Sequence, residues 1–171
     1  MKVLYLLRHA KSSWKDPALD DFDRPLNKRG KQAGKLMGKH LNRDGVRPHL
    51  ILCSAAERAR MTLGLVAGEL GGEIPTEIED DLYMAGPEEM VRRLAHVDDS
   101  VASVMMIGHN PGIEHLAVIL TGDGDGVSWQ RMNEKYPTAA LAVLTFDIST
   151  WRRIEPGSGT LTAFVCPRDL E

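Results

Sequence analysis

Val3-Leu4-Tyr5-Leu6-Leu7-Arg8-His9 and Val101-Ala102-Ser103-Val104-Met105-Met106-Ile107-Gly108-His109 decide how this chain folds. Each is an apolar run that ends on a histidine. Continuous apolar runs, as opposed to alternating ones, belong to strands covered on both faces. Leu50–Cys53, Ala139–Phe146 and Leu161–Val165 are further runs of this kind. The segments between them carry helical spacing. Ala33, Leu36, Met37, His40 and Leu41 share one helical face, as do Ala59, Leu63, Val66, Ala67 and Leu70. Pro87 opens a third helix, with Glu88 and Glu89 in the first turn, where the macrodipole favours acids. Met90, Val91 and Leu94 form its buried side. Asn110-Pro111 reads as an N-cap followed by a proline, and Ile113, Leu116, Ala117 and Leu120 continue that helix. Strand–helix alternation predicts an α/β fold, a three-layer α/β/α sandwich on a mostly parallel sheet. No helical pattern separates the last two strands, so an antiparallel strand is expected at the edge.

The chain's 171 residues suit one domain spanning 1–171. A formal charge of −3 speaks against a broad nucleic-acid surface, so any anion site must be local. No apolar run reaches the ~20 residues that cross a bilayer. The run at Val3–Leu7 is also too short for a signal-peptide core, and the expected location is the cytoplasm. Cys53 and Cys166 lie in apolar, strand-like surroundings and are expected as reduced core thiols. Ala10–Pro25 is polar and long for an irregular connection, which points to function. Gly122–Gly126 reads as a flexible turn. Its likeness to a calcium loop fails at Val127, which stands where an oxygen ligand is needed.

In α/β sheets, ligands gather beyond the carboxyl ends of parallel strands. Arg8-His9, Ser54 and Gly108-His109 close three predicted strands, and Arg58 falls in the first helical turn after Ser54. A phosphoryl group needs planar, multidentate donors, which arginine supplies. Two arginines and the helix N-terminus at Asn110-Pro111 can balance its charge without a metal. One neutral imidazole can attack phosphorus and hold a covalent intermediate. A second can donate a hydrogen bond as charge redistributes. Nearby arginines would keep the nucleophile neutral.

These residues resemble the histidine phosphatase superfamily, also called the phosphoglycerate-mutase-like or RHG family. Leu7-Arg8-His9-Ala10 looks like its Arg-His-Gly signature, with Ala10 in place of glycine. Leu26 to Ala33 is similar to the segment opening its first helix, Ser54 to Thr62 to the stretch holding its second arginine, and Gly108-His109-Asn110-Pro111 to its second-histidine motif. The resemblance implies that His9 is the phosphorylated nucleophile, and that Arg8, Arg58 and His109 complete the phosphate pocket. Lys15 stands where many relatives carry a phosphate-touching asparagine, and Ser12 keeps a hydroxyl where relatives often have one. Relatives that cleave phosphate esters use a Glu or Asp after their third strand as general acid, and Asp81 of Asp80-Asp81-Leu82-Tyr83 aligns best with it.

Within the superfamily, Arg8 to Trp14 and Asp21 to Leu26 resemble the short bacterial SixA-type phosphohistidine phosphatases. The length leaves no room for a large capping insertion. The leading expectation is a metal-independent phosphatase without cofactors, acting on a phosphohistidine-bearing protein domain. A small-molecule phosphomonoesterase, a phosphomutase and a non-catalytic phosphate-binding domain are the alternatives. A two-histidine metal enzyme lacks any HExxH or Cys/His spacing. Arg60, Glu114, His115, His40, His49 and His96 are expected to be structural or exposed. Lys28, Arg29, Lys31 and Lys35 form a solvated helix face that could steer an acidic partner.

Overall fold

The fold is described by a computed structural model covering residues 1–171. In chain order its elements are β1 (Lys2–Arg8), α1 (Lys28–Arg43), β2 (Leu50–Ser54), α2 (Glu57–Leu70), β3 (Thr76–Glu79), α3 (Pro87–Ala95), β4 (Ser103–Gly108), α4 (Gly112–Leu120), β5 (Thr121–Gly124), α5 (Gly126–Glu134), β6 (Leu141–Phe146) and β7 (Gly159–Val165). All seven strands join one sheet in the order β3-β2-β4-β1-β6-β7-β5. Its parallel half is β3, β2, β4 and β1. β6 is antiparallel to both neighbours, β1 and β7, while β5 lies parallel to β7. The sheet is therefore mostly parallel, and its antiparallel strand lies inside it rather than at its edge. The long return from β6 to β7 through Trp151–Arg153 lets β7 sit on the far side of β6.

Strand alternation sorts the core into two layers. Leu4, Leu6, Val104, Met106, Leu52, Ala142 and Leu144 pack with Met90 and Leu94 of α3 and Ile113, Leu116 and Leu120 of α4. Leu7, Ile51, Cys53, Met105 and Ile107 face Met37 and Leu41 of α1 and Ala59, Val66 and Leu70 of α2. Truncating one such fully buried residue, Leu6 or Met105, to alanine costs about 2–5 kcal/mol. Cys53 and Cys166 are free, buried and in opposite layers, and burial pushes the Cys53 thiol up to about 12.

Several boundaries differ from the sequence expectation. β4 begins at Ser103, two residues into the apolar run. β6 begins at Leu141, because Ala139 takes a left-handed conformation (φ 61°) and spends its N–H on the carbonyls of Arg8 and His9. α4 begins at Gly112, with Pro111 as its N-cap, so Asn110 does not cap the helix. The Asn110 amide instead donates to Tyr136 O at 2.9 Å. Gly122–Gly126 is not a free turn: β5 pairs with β7, and the Asp125 carboxylate caps α5 at Val127 and Ser128. β3 and β5 lie at the two sheet edges and are largely exposed, so they lack the apolar signature of the inner strands. No helix is long and apolar enough to cross a membrane.

Candidate active site

Strand register assembles the site. In the β1–β4 ladder Leu7 lies opposite Ile107 and Arg8 opposite Gly108. His9 and His109 therefore leave the sheet side by side. The His9 N–H donates to Gly108 O at 3.0 Å, and the two ring centroids are 5.0 Å apart. β2 pairs with β4 so that Cys53 faces Ile107, which brings Ser54 beside His109. Arg58 rises from the first turn of α2, is buried, and directs Nε toward His9 Nε2 at 3.4 Å. Arg8 is held by Nη1 donating to Tyr136 O at 3.0 Å. The structure thus brings Arg8, His9, Arg58 and His109 to one place.

The loop after β1 is fastened to this frame. The Ala10 N–H donates to Thr62 Oγ1 at 2.9 Å, and the Thr62 hydroxyl donates to Arg58 O at 2.8 Å. Asn27 caps α1 through Gly30 N at 2.8 Å, and its own N–H donates to Lys11 O. Gly30 is needed there, because a Cβ would lie 2.0 Å from the Lys11 carbonyl oxygen. Ala10–Pro25 is consequently ordered, with a bridge between Ser12 and Leu26 and a 3-10 turn at Asp21–Asp23.

Proton positions follow from which partners can only accept. His9 Nδ1 lies 2.7 Å from the Ala10 carbonyl, which cannot donate. Nδ1 therefore carries the hydrogen, and Nε2 presents a lone pair into the pocket. At the second ring, Ser54 Oγ accepts from Ala56 N at 3.2 Å and lies 2.7 Å from His109 Nε2. Ser54 is wholly buried, so its hydroxyl hydrogen is satisfied by donating to Nε2. That leaves His109 Nδ1 as the protonated nitrogen, buried and without a partner. Arg8 Nε is also buried and unpartnered. Asn110 Oδ1 is a third buried atom of this region without a partner.

Both rings are neutral. Burial pushes the His9 imidazole down to about 3 against the lift from the Ala10 carbonyl, with Arg58 and Arg8 adding smaller pushes downward. Burial, then Arg58, takes His109 down to about 4. Burial thus outweighs the arginine charges that the sequence suggested as the cause.

The remaining candidates stand further out. Ser12 Oγ accepts from Arg24 Nη1 at 2.8 Å. Lys15 is exposed, and its only hydrogen bond is a backbone one, to Ser13 Oγ. Asp81 is exposed in the 3-10 turn Asp80–Leu82 and its carboxylate bonds none of the pocket residues. Glu114 is half-buried beside the Asn110 amide at 3.4 Å, and Arg60 and His115 are exposed. No three His, Cys, Asp or Glu side chains are grouped so as to hold a metal ion.

Three residues of the site were not singled out by the sequence. Asp21 reaches Arg58 with both its carbonyl and its carboxylate, at 2.7 and 3.0 Å. Tyr83 donates its hydroxyl to the same carboxylate, and its ring stands edge-on to His109 at 5.4 Å. Tyr136 carries both Arg8 and Asn110 on its carbonyl, while its hydroxyl donates to Leu6 O at 2.5 Å. Asp21 lies in the Asp21 to Leu26 stretch that resembles the SixA-type enzymes, and its spacing to Arg24 can close an i,i+3 ion pair.

Residues 4–83 match the histidine phosphatase superfamily, branch 1. An uncharacterised protein of Mycobacterium tuberculosis is 35% identical over 95% of this chain and 100% of its own length. The chain belongs to the histidine phosphatase superfamily. This histidine phosphatase is also 28% identical to phosphohistidine phosphatase SixA of Escherichia coli, over 98% of the chain and 96% of that protein. Among solved structures, a protein of Agrobacterium tumefaciens provisionally described as phosphohistidine phosphatase SixA superposes with a TM-score of 0.82. It is 31% identical, over 97% of this chain and 98% of the other. The protein histidine phosphatase SixA complexed with tungstate matches with a TM-score of 0.79 at 26% identity, over 99% of each chain. The α/β sandwich of this histidine phosphatase is thus that of the phosphoglycerate mutase-like structures, and the protein is a phosphatase acting on a phosphorylated substrate.

Proposed function

We propose that this phosphatase hydrolyses phosphohistidine on a protein, without a metal ion, through a covalent phosphoryl intermediate on His9. The observation that carries the reading is the absence of a poised carboxylic acid beside the nucleophile. Asp21, the carboxylate at the pocket, is held down to about 2, first by the Tyr83 hydroxyl and then by Arg58 and Arg24. It is ionised at neutral pH and cannot protonate a leaving group. Asp81, the expected acid, is exposed and bonds none of the pocket residues, and Glu114 lies against the Asn110 amide at 3.4 Å. An alkyl ester needs such a proton, because an alkoxide leaves poorly. A phosphorylated imidazole needs no carboxylic acid, since its nitrogen leaves readily with a proton from water.

The His9 Nε2 lone pair attacks phosphorus, and the P–N bond to the substrate imidazole breaks. Arg8, the Nε edge of Arg58 and His109 are the donors for the phosphoryl oxygens. Water then cleaves the bond between phosphorus and Nε2, releasing inorganic phosphate and free His9. The exposed Trp14 and Leu19 on the loop after β1, and Met84 after Tyr83, flank this end of the sheet and suit a protein surface as substrate.

The test is a comparison of kcat/KM on a phosphohistidine domain, a panel of phosphosugars and an aryl phosphate, each with and without EDTA. A clear preference for the phosphohistidine domain, undiminished by EDTA, is expected. Preference for a phosphosugar would assign the enzyme to small phosphomonoesters, and loss of activity in EDTA would remove the metal-free mechanism.

A further inference from the structure

Asp21 grips the terminal nitrogens of the buried Arg58 side chain and has no part in the chemistry above. Arg58 has two faces to its fork. Nε points at His9 Nε2 at 3.4 Å, into the pocket. The two terminal nitrogens point the other way: Nη1 donates to Asp21 O at 2.7 Å and Nη2 to Asp21 Oδ2 at 3.0 Å. One residue therefore grips the end of the guanidinium with its main chain and its side chain together, and leaves the Nε edge facing the nucleophile.

Asp21 is itself held. Its other carboxylate oxygen accepts from Arg24 Nε at 3.1 Å, and Tyr83 donates its hydroxyl to Oδ2. Arg24 is buried, donates from Nη1 to Ser12 Oγ at 2.8 Å and to Ser13 O at 3.2 Å, and lies under the Trp14 ring with 3.4 Å from guanidinium carbon to centroid. Phe22 packs edge-on against Tyr83 at 4.9 Å. The charges also resolve. Asp21 and Arg24 cancel, so Arg8 and Arg58 remain to match a doubly charged phosphoryl group. An unbraced arginine has many rotamers, and a bidentate contact exists only when its fork is aimed.

We infer that Asp21 is a positioning residue: it clamps the terminal nitrogens of Arg58 so that the Nε edge stays aimed at a phosphoryl group on His9. Asp21 does not touch the reacting atoms. This inference rests on the phosphate-pocket reading of Arg58 and His9.

The opposite role can be separated by experiment. A carboxylate on a phosphate-binding arginine could instead be a plug that substrate must displace. A plug lowers oxyanion affinity, whereas a clamp raises it. Inorganic phosphate and tungstate affinities would be measured by calorimetry for wild type, Asp21→Ala, Asp21→Asn and Tyr83→Phe, together with kcat and KM. Misplacement of a binding group by about 1 Å can cost about 100-fold, so Asp21→Ala is expected to weaken oxyanion binding and to lower kcat/KM by roughly 10- to 100-fold. KM is expected to rise as well as kcat to fall. Asp21→Asn retains an acceptor oxygen as well as the main-chain contact to Arg58 Nη1, and is expected to recover most of the loss. Tyr83→Phe, which leaves the Arg58 contacts intact, is expected to lose less than Asp21→Ala. Equal or tighter oxyanion binding by Asp21→Ala would overturn the clamp and establish the plug. Equal losses in Asp21→Asn and Asp21→Ala, accompanied by a fall in Tm, would also overturn it by showing a purely structural loop contact. Wild-type protein that bound neither anion would refute the pocket itself, a result distinct from either.

Discussion

The ends of β1 and β4 are near-equivalent places with unlike chemistry. Both strands are parallel, in register and buried, and both release a histidine at the same level of the sheet. At His9 the neighbour behind the ring is a backbone carbonyl, which accepts from Nδ1–H and leaves the Nε2 lone pair facing Arg58 Nε. At His109 the neighbour is a serine hydroxyl that gives its proton to Nε2 and leaves Nδ1–H free. On the proposed mechanism the first ring attacks and the second donates. Two similar imidazoles 5.0 Å apart are differentiated by the single partner each has on its far side. The lesson is that a histidine's role is set by the acceptor or donor behind it, more than by its place in the fold.

That asymmetry can be broken at each end. The largest effect is expected from His9→Ala, which should abolish turnover without loss of Tm, since His109 offers its N–H and not a lone pair. Acid-labile phosphate trapped during turnover should map to His9. Finding it on His109 would reverse the assignment of the two rings.

Arg58→Ala and His109→Ala should each lower kcat by roughly 100- to 1000-fold, as loss of one oxyanion donor does. Arg58→Lys should restore little, because a single ammonium cannot aim one edge at His9 and offer another to Asp21. Near-normal kcat in His109→Ala would show that the second ring is not a donor.

A smaller loss sharpens the comparison. Ser54→Ala removes the hydroxyl that selects the His109 tautomer, and about a tenfold fall in kcat is expected, corresponding to about 1.4 kcal/mol. The ring 15N shifts of His109 should report a mixed tautomer in this variant while those of His9 stay unchanged. An unchanged His109 spectrum would remove Ser54 from the site.

Acid should act on both rings together. Their folded-state pKa values, about 3 and about 4, lie below the ordinary 6.5 of an unfolded chain. Between these limits the unfolded state binds more protons than the native one, so stability rises with pH across this window and is lost as pH falls from about 6.5. Tm should accordingly decline on acidification below pH 6.5 and decline less steeply in His9→Ala. A Tm that held level from pH 6.5 to 4 in wild type would contradict the neutral buried rings.

The smallest effect is expected at Asp81. Asp81→Asn should leave rates on phosphohistidine, an alkyl phosphate and an aryl phosphate within about twofold, the range of a surface change without partners. A loss confined to the alkyl ester would show that Asp81 donates the proton after all.

Much of this was readable before any coordinates. The apolar runs ending in His9 and His109 marked inner strands, and their histidines reached the same site because parallel strands end on one side of a sheet. Arg58 lies beside His9 because the first turn after a strand is close to the strand's end. The edge strands β3 and β5 were not readable, because residues such as Thr76-Glu77-Ile78-Glu79 are largely exposed and carry no apolar period. The place of β6 was not readable either, since strand order depends on which faces pack and not on composition.

The sequence by itself determined the layer architecture, the two histidines and the two arginines, because burial periodicity and strand ends are local properties of the chain. The tertiary structure alone decided how the protons are shared among them. Ser54 and His109 are brought to 2.7 Å by the β2–β4 register, Tyr136 comes to Arg8 from beyond α5, and Asp21 reaches Arg58 from a loop with no regular apolar period. Each of these contacts joins residues far apart in the chain, so it leaves no periodicity behind. A hydrogen bond depends on distances of a few tenths of an ångström, which packing sets and spacing does not.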